Sequence, residues 1–176
     1  MGIIEKSNSP YASPVVIVKK KDGKNRFCVD YRKINASTVL DNEPIPNMEE
    51  IITDVGGATF FTKIDLSKGY WQIPVKEEDR AKTAFVTPDG QYQFKVLPFG
   101  MVNAPALFTR MMRRLLDGVP NVVHYIDDIL IYSTSWEEHI NDVRRVLAAL
   151  RGANLTARPT KCQFGCTNVE FLGHRV

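Results

Sequence analysis

Three aspartates carry the chemistry this sequence is best equipped to do: Asp65 and the adjacent pair Asp127 and Asp128. Asp65 ends a largely apolar run over residues 59–66, and the pair separates two others, 122–126 and 129–132. Carboxylates gathered in one place repel one another at neutral pH unless cations neutralise them. A cluster of hard oxygen donors suits magnesium, which takes few carboxylates and completes its shell with water and phosphate oxygens. Two such ions, roughly 3.5–4 Å apart, stabilise both the attacking and the leaving oxygen of a phosphoryl transfer. A lone Asp-Asp between two strands is more often only a polar turn. The chemistry therefore depends on whether the fold brings Asp65 to the pair.

The elements around these residues answer that question by their order. The run 59–66 reads as a strand that expires at Asp65. Asn103 can cap a helix with Pro105 in its first turn, and Leu107, Phe108, Met111 and Leu115 form its apolar stripe, ended by Gly118 and Pro120. The two apolar runs about Asp127-Asp128 read as a hairpin with the aspartates as its turn. Ser135 with Glu138 forms a capping box that opens a second helix, with Ile140, Val143, Leu147 and Leu150 on one side. A short strand near 155–158 closes the series. With a small hairpin at residues 83–97 set aside as an insertion, the order is β-α-β-β-α-β, the split βαβ arrangement. Its first and third strands are antiparallel neighbours, so the end of the first, at Asp65, lies beside the start of the third. The fold class expected is α+β.

Upstream of this unit the pattern is a hairpin. Residues 15–19 are an apolar run, Phe27, Val29 and Tyr31 alternate with polar residues, and Lys21-Asp22-Gly23-Lys24 supplies the turn. The alternation sets Arg26, Cys28, Asp30 and Arg32 on the face opposite the aromatic residues. Lys19, Lys20, Lys21, Lys24, Arg26, Arg32 and Lys33 crowd this region, a cationic front that could meet phosphates or simply be solvated. Asn47 and Glu50 then open a helix with Met48, Ile51, Ile52 and Val55 on one stripe.

Composition bounds the partners less sharply. The chain has 176 residues, 44% of them hydrophobic, ample for a core. Its net charge of +3, from 23 basic and 20 acidic residues, neither requires nor excludes nucleic acid. Three cysteines without an export signal suit a reducing compartment, and Cys162, Cys166 and His174 fit no standard zinc-finger spacing. No apolar run has the length of a membrane span, so a soluble, intracellular, cytoplasmic protein without membrane contact is expected.

Five segments together resemble reverse transcriptases. Tyr125-Ile126-Asp127-Asp128 is similar to their Tyr-x-Asp-Asp signature, and residues 61–70, FTKIDLSKGY, resemble their first catalytic strand. Residues 97–105, LPFGMVNAP, resemble the loop and helix start beside nucleotide and template. Phe171-Leu172-Gly173-His174 resembles the primer grip, and residues 13–16 with 26–32 resemble the fingers. Phe99 stands where retroviral enzymes commonly carry Gln, which points to the gypsy-type LTR retrotransposon variant.

The resemblance implies a right-handed polymerase: fingers over 1–58 and palm over 59–176, with a fingers hairpin inserted at about 76–98, and thumb, connection and RNase H absent. It implies RNA-directed DNA polymerase activity with two Mg2+ ions, for which Mn2+ can substitute, a primer-template of RNA or DNA, and dNTP. Virus-like particles would house it. Asp65 and Asp127 would hold both metals, with Asp128 adding charge and Leu66 contributing main chain. Lys20, Arg26, Ser67, Lys68, Gly69, Tyr70 and Phe99 would meet the nucleotide, Tyr70 beneath the sugar to exclude a 2′-hydroxyl. Asp30, Arg32, Gly100, Asn103, Pro105, Tyr125, Leu172 and Gly173 would meet primer and template. Lys161 could protonate pyrophosphate or be an exposed structural lysine. Two rivals remain at this point: a non-catalytic nucleic-acid-binding remnant or domesticated domain, and a metal-dependent phosphohydrolase.

Overall fold

The computed structural model describes residues 2–19, 23–44 and 46–176. In chain order it runs β1 (Ile4–Lys6), β2 (Val15–Lys19), β3 (Asn25–Val29), α1 (Arg32–Ala36), α2 (Met48–Asp54), β4 (Phe60–Asp65), α3 (Glu77–Arg80), β5 (Phe85–Thr87) and β6 (Gly90–Phe94). It continues through α4 (Ala104–Leu115), β7 (Val122–Tyr125), β8 (Asp128–Ser133), α5 (Trp136–Gly152), β9 (Gln163–Cys166), β10 (Glu170–Phe171) and β11 (His174–Arg175). These elements gather into two compact units, Met1–Asp41 with Tyr70–Pro105, and Asn42–Gly69 with Ala106–Val176.

In the first unit β2 and β3 form the expected hairpin, with Val15 opposite Val29 and Lys19 opposite Asn25. A second sheet has the order β1-β6-β5. The outer hairpin keeps one aromatic foothold: Phe27, itself half exposed, meets Phe85 edge-on at 5.5 Å between ring centroids. Tyr31 is buried and donates its hydroxyl to the Thr83 carbonyl at 2.8 Å.

The second unit is built on a four-stranded sheet in the order β7-β8-β4-β9. That is the order the split βαβ arrangement requires, with the first strand (β4) between the third (β8) and the fourth (β9). Ile64, Ile129, Leu130 and Ile131 are fully buried in it. Each such side chain stabilises the folded state by roughly 1.5–3 kcal/mol through burial. Neighbouring residues of a strand face opposite ways. Phe61 and Leu130 accordingly join Ile51 and Val55 of α2, Val169 and Phe171 in one core, while Thr62 and Ser133 meet α5 on the other face.

Several local expectations shift. The buried stripe of α4 is Ala104, Phe108 and Met112, with Leu116 just beyond; Leu107 is 41% exposed. The stripe of α5 is His139, Asp142, Val146 and Leu150, and Leu147 is 42% exposed. Its two polar members are satisfied, which is what permits their burial. Thr62 Oγ1 bonds His139 Nε2 at 2.7 Å while accepting from the Gly165 amide at 3.1 Å. Ser133 Oγ bonds His139 Nδ1 at 3.1 Å and donates to Asp142 Oδ2 at 3.1 Å, and Asn121 also donates to Asp142, at 2.8 Å. Ser135 caps α5 as expected, accepting from the Glu138 amide at 3.3 Å. Asn47 caps α2 by accepting from Glu49 rather than Glu50. Asn103 does something else: its carboxamide accepts from the Asp41 amide and donates to the Val39 carbonyl. The closing strand is β9, whereas 155–158 makes only a single bridge, Leu66 with Ala157.

Candidate functional site

Sheet register brings Asp65 and Asp128 face to face: β4 and β8 run antiparallel, with Ile64 opposite Ile129 and Asp65 opposite Asp128. Directly opposed residues share a face of the sheet, with Cβ atoms about 4.5–5.5 Å apart. The buried isoleucines beside them fix the strand ends from the opposite face. Asp127 is tied in by main chain, since the Leu66 amide donates to its carbonyl at 3.1 Å. The turn is therefore Ile126-Asp127, one residue earlier than expected, because Tyr125 already pairs with Asp128. This shift forces Ile126 to φ 54°, in the left-handed region that β-branched residues rarely enter. Strain of that kind costs on the order of 1–3 kcal/mol and persists only where surrounding structure imposes it.

Gly69 completes the acidic corner. At φ 44° it turns a bare face to Asp127, whose Oδ2 lies 3.3 Å from where a Cβ at Gly69 would stand. Lys68, at φ 60°, shares the left-handed conformation. The amides of Leu66 and Ser67 are engaged, the first by Asp127 and the second by the Thr156 carbonyl at 2.8 Å. Arg158 in turn donates its amide to the Asp65 carbonyl at 2.8 Å. The segment 65–67 is thus held from both sides.

Two lysines address the carboxylates. Lys161 Nζ lies 3.5 Å from Asp65 Oδ2, and Lys63 Nζ lies 3.7 Å from Asp128 Oδ2. Burial raises the Asp128 pKa above the ordinary carboxylate value; Lys63 pulls it back, and Asp127 and Asp65 push it up again. Among the described residues no three acidic, imidazole or thiol side chains converge closely enough to hold an ion as they stand. The donor set nonetheless fits a hard divalent cation in kind: three carboxylates at one sheet edge, two of them each facing a lysine.

The hairpin that follows is placed by the same core. Phe171 is fully buried, and the β10–β11 turn is Leu172-Gly173, both with positive φ, 53° and 82°. That is the geometry of a tight two-residue hairpin turn. Tyr125 and Leu172 pack against the shared core.

The first unit holds the other expected residues. Tyr70 and Phe99 meet at 5.1 Å between ring centroids, and Phe99 is 43% exposed. Arg32 forks onto Asp30 with bonds of 2.9 and 2.6 Å, which holds the Asp30 carboxyl down to about 2. Arg26 is exposed on β3. Gly100 is gripped by Asn35, whose carboxamide donates to the Gly100 carbonyl at 2.8 Å and accepts from the Val102 amide at 2.9 Å. Pro105 sits in the first turn of α4. Lys20 lies outside the described residues. Asn35 and Lys63 escaped the sequence reading. Lys63 had a signal, since it stands two residues before Asp65 and must share its face.

A family model described as reverse transcriptase (RNA-dependent DNA polymerase) matches residues 18–176. The Retrovirus-related Pol polyprotein from transposon 297 of Drosophila melanogaster is 46% identical over 182 residues, spanning 99% of this chain and 17% of that protein. The Transposon Tf2-3 polyprotein of Schizosaccharomyces pombe is 38% identical over 177 residues, spanning 99% of this chain and 13% of its own length. Among solved structures, a foamy viral protease-reverse transcriptase in complex with RNA/DNA hybrid superposes with a TM-score of 0.92 at 30% identity, over 99% of this chain and 24% of that one. The chain thus spans less than a fifth of the polyproteins it resembles. Reverse transcriptases work with divalent metal ions, which accords with the acidic corner. With the split βαβ sheet, the Asp65–Asp128 register and these likenesses together, the chain belongs to the reverse transcriptase family, on its LTR-retrotransposon side.

Proposed function

We propose that this chain is the fingers-and-palm part of an RNA-directed DNA polymerase that adds dNMP from dNTP to a primer 3′-hydroxyl on an RNA or DNA template. The observation that carries the reading is the register of Asp65 opposite Asp128, with Asp127 bonded through its carbonyl to Leu66. Residues 1–58 with the hairpin inserted at about 76–98 would serve as fingers and the rest of 59–176 as palm; the compact units divide the chain differently, with 42–58 in the second unit and 70–105 in the first. Asp65 and Asp127 would hold two Mg2+ ions, with Asp128 and the Leu66 carbonyl beside them. Bound there, the ions would neutralise the charge that builds on phosphoryl oxygens.

The chain's own residues supply positioning, which is most of what phosphoryl transfer needs. Because the Leu66 and Ser67 amides are engaged, approach of a triphosphate falls to the Ser67 hydroxyl and to Lys68 and Gly69. Arg26 and Lys20 would meet phosphates and base from the fingers. Tyr70, braced by Phe99, would lie under the sugar and exclude a 2′-hydroxyl. Leu172 and Gly173 would hold the primer end, and Asp30, Arg32, Gly100, Asn103, Pro105 and Tyr125 would line the path of primer and template. Affinity for that duplex should rest on phosphate contacts and fall steeply with salt. No helix among the described residues is long and apolar enough to cross a membrane. We place the protein inside the cell, in the particles of its element.

The test is consumption of labelled dNTP with and without primer on an RNA template. Polymerase action requires the label to enter the primer and to stay in dNTP when primer is omitted. Release of label from dNTP without primer would instead favour a phosphohydrolase.

A further inference from the structure

Lys63 is the only strand residue between Phe61 and Asp65 that shares their face of β4, and its ammonium reaches three groups. It lies 3.7 Å from Asp128 Oδ2, donates to the Glu170 carbonyl at 3.2 Å, and stands over the Phe171 ring at 5.9 Å from its centroid. Asp128 opens β8, whereas Glu170 and Phe171 form β10 and lead directly into the Leu172-Gly173 turn. One side chain therefore connects the acidic corner to the hairpin. Its setting is partly desolvated, with 22% of the Lys63 side chain and 27% of the Asp128 side chain exposed. A cation held so, by a carboxylate, a carbonyl and an aromatic face, has little freedom to leave.

We propose that Lys63 is a positioning residue, tying Asp128 to the β10–β11 hairpin and so fixing where the primer end stands relative to the carboxylates. The inference rests on the polymerase reading for its catalytic consequence, but the tie itself does not. Two effects follow from the geometry. The ammonium opposes entry of a divalent cation beside Asp128 by like charge, and it holds the hairpin by the Glu170 carbonyl.

The experiment compares Lys63→Met and Lys63→Arg with the unaltered chain. Manganese binding is read by electron paramagnetic resonance, and amide exchange over residues 170–175 is read without metal. Removing the charge should tighten manganese roughly three- to tenfold, and exchange in the hairpin should quicken severalfold. Lys63→Arg keeps the charge and its donors, so it should leave manganese affinity within about twofold. Primer extension by Lys63→Met should lose roughly tenfold or more in kcat, with KM for dNTP nearly unchanged. Tighter metal with slower extension is a combination that general damage to the fold does not give. Unchanged manganese affinity, or unchanged hairpin exchange, overturns the proposal. Should Lys63→Met fail to fold, Lys63→Gln carries the same two readouts. If the unaltered chain extends no primer, the polymerase reading fails, while binding and exchange still decide the tie.

Discussion

Replacing Gly69 with alanine separates two effects that meet at one residue. The first is conformational: at φ 44° an alanine pays for the left-handed region, roughly 1–2 kcal/mol. In a chain of this size each kcal/mol lowers Tm by about 2–4 °C, so Gly69→Ala should melt roughly 2–8 °C lower. The second effect is contact. The new methyl would stand 3.3 Å from Asp127 Oδ2, close enough to push the carboxylate by a few tenths of an ångström. A misplacement of about 1 Å can cost a hundredfold in rate, so a third of that should cost roughly three- to tenfold in kcat. Gly118 provides the control. Its φ is 73° and a Cβ there would meet nothing within 4 Å, so Gly118→Ala bears the same conformational cost without touching an aspartate. Thermal unfolding and single-nucleotide incorporation should show both variants destabilised and only Gly69→Ala slowed. Equal kcat in the two variants would refute the placement of Asp127 against Gly69.

Two further outcomes are expected. Because Phe99 braces Tyr70 beneath the proposed sugar position, Tyr70→Ala should admit ribonucleotides; an unaltered dNTP-to-rNTP preference in competition assays would remove that role. Burial, and secondarily Arg113, lower His124 to about 4, and its Nδ1 has no hydrogen-bond partner among the described residues. The unfolded chain, with a pKa of about 6.5, then takes up the proton first as pH falls, so stability is full above that value and declines toward 4. Denaturant titration should show about 2 kcal/mol less stability at pH 5 than at pH 7 from this group. His124→Gln should remove that difference, and a difference of the same size in the variant would exclude His124 as its source.

The acidic corner was legible because it depends on order and alternation, which sequence carries directly. Residues 59–66 and 129–132 had to be neighbours if the split βαβ order held, which puts the end of the first strand, at Asp65, beside the start of the third, where register pairs it with Asp128. Features set by remote partners were not legible. His139 and Asp142 look like surface residues of a helix until Thr62, Ser133 and Asn121 arrive from other elements to bond them. In the α4 stripe Phe108 is buried as expected, but Met112 and Leu116 take the places expected of Met111 and Leu115, and Leu107 is exposed; neighbouring apolar residues are too alike for periodicity to choose between two adjacent faces. The turn at 126–127 was misplaced for the opposite reason. Turn chemistry favours Asp-Asp and disfavours an isoleucine at positive φ, yet sheet register overrode both. Asn103 kept its helix start but gave its carboxamide to residues 39–41, a long-range partner that no capping rule contains.

The most direct test of the central claim is primer extension on an RNA template with dNTPs and magnesium or manganese, with Asp127→Asn run beside the unaltered chain. The expected result is template-dependent extension that Asp127→Asn abolishes while its far-ultraviolet circular dichroism stays unchanged. Extension by Asp127→Asn at an undiminished rate would contradict it, since a carboxamide in that place cannot do the work assigned to the carboxylate.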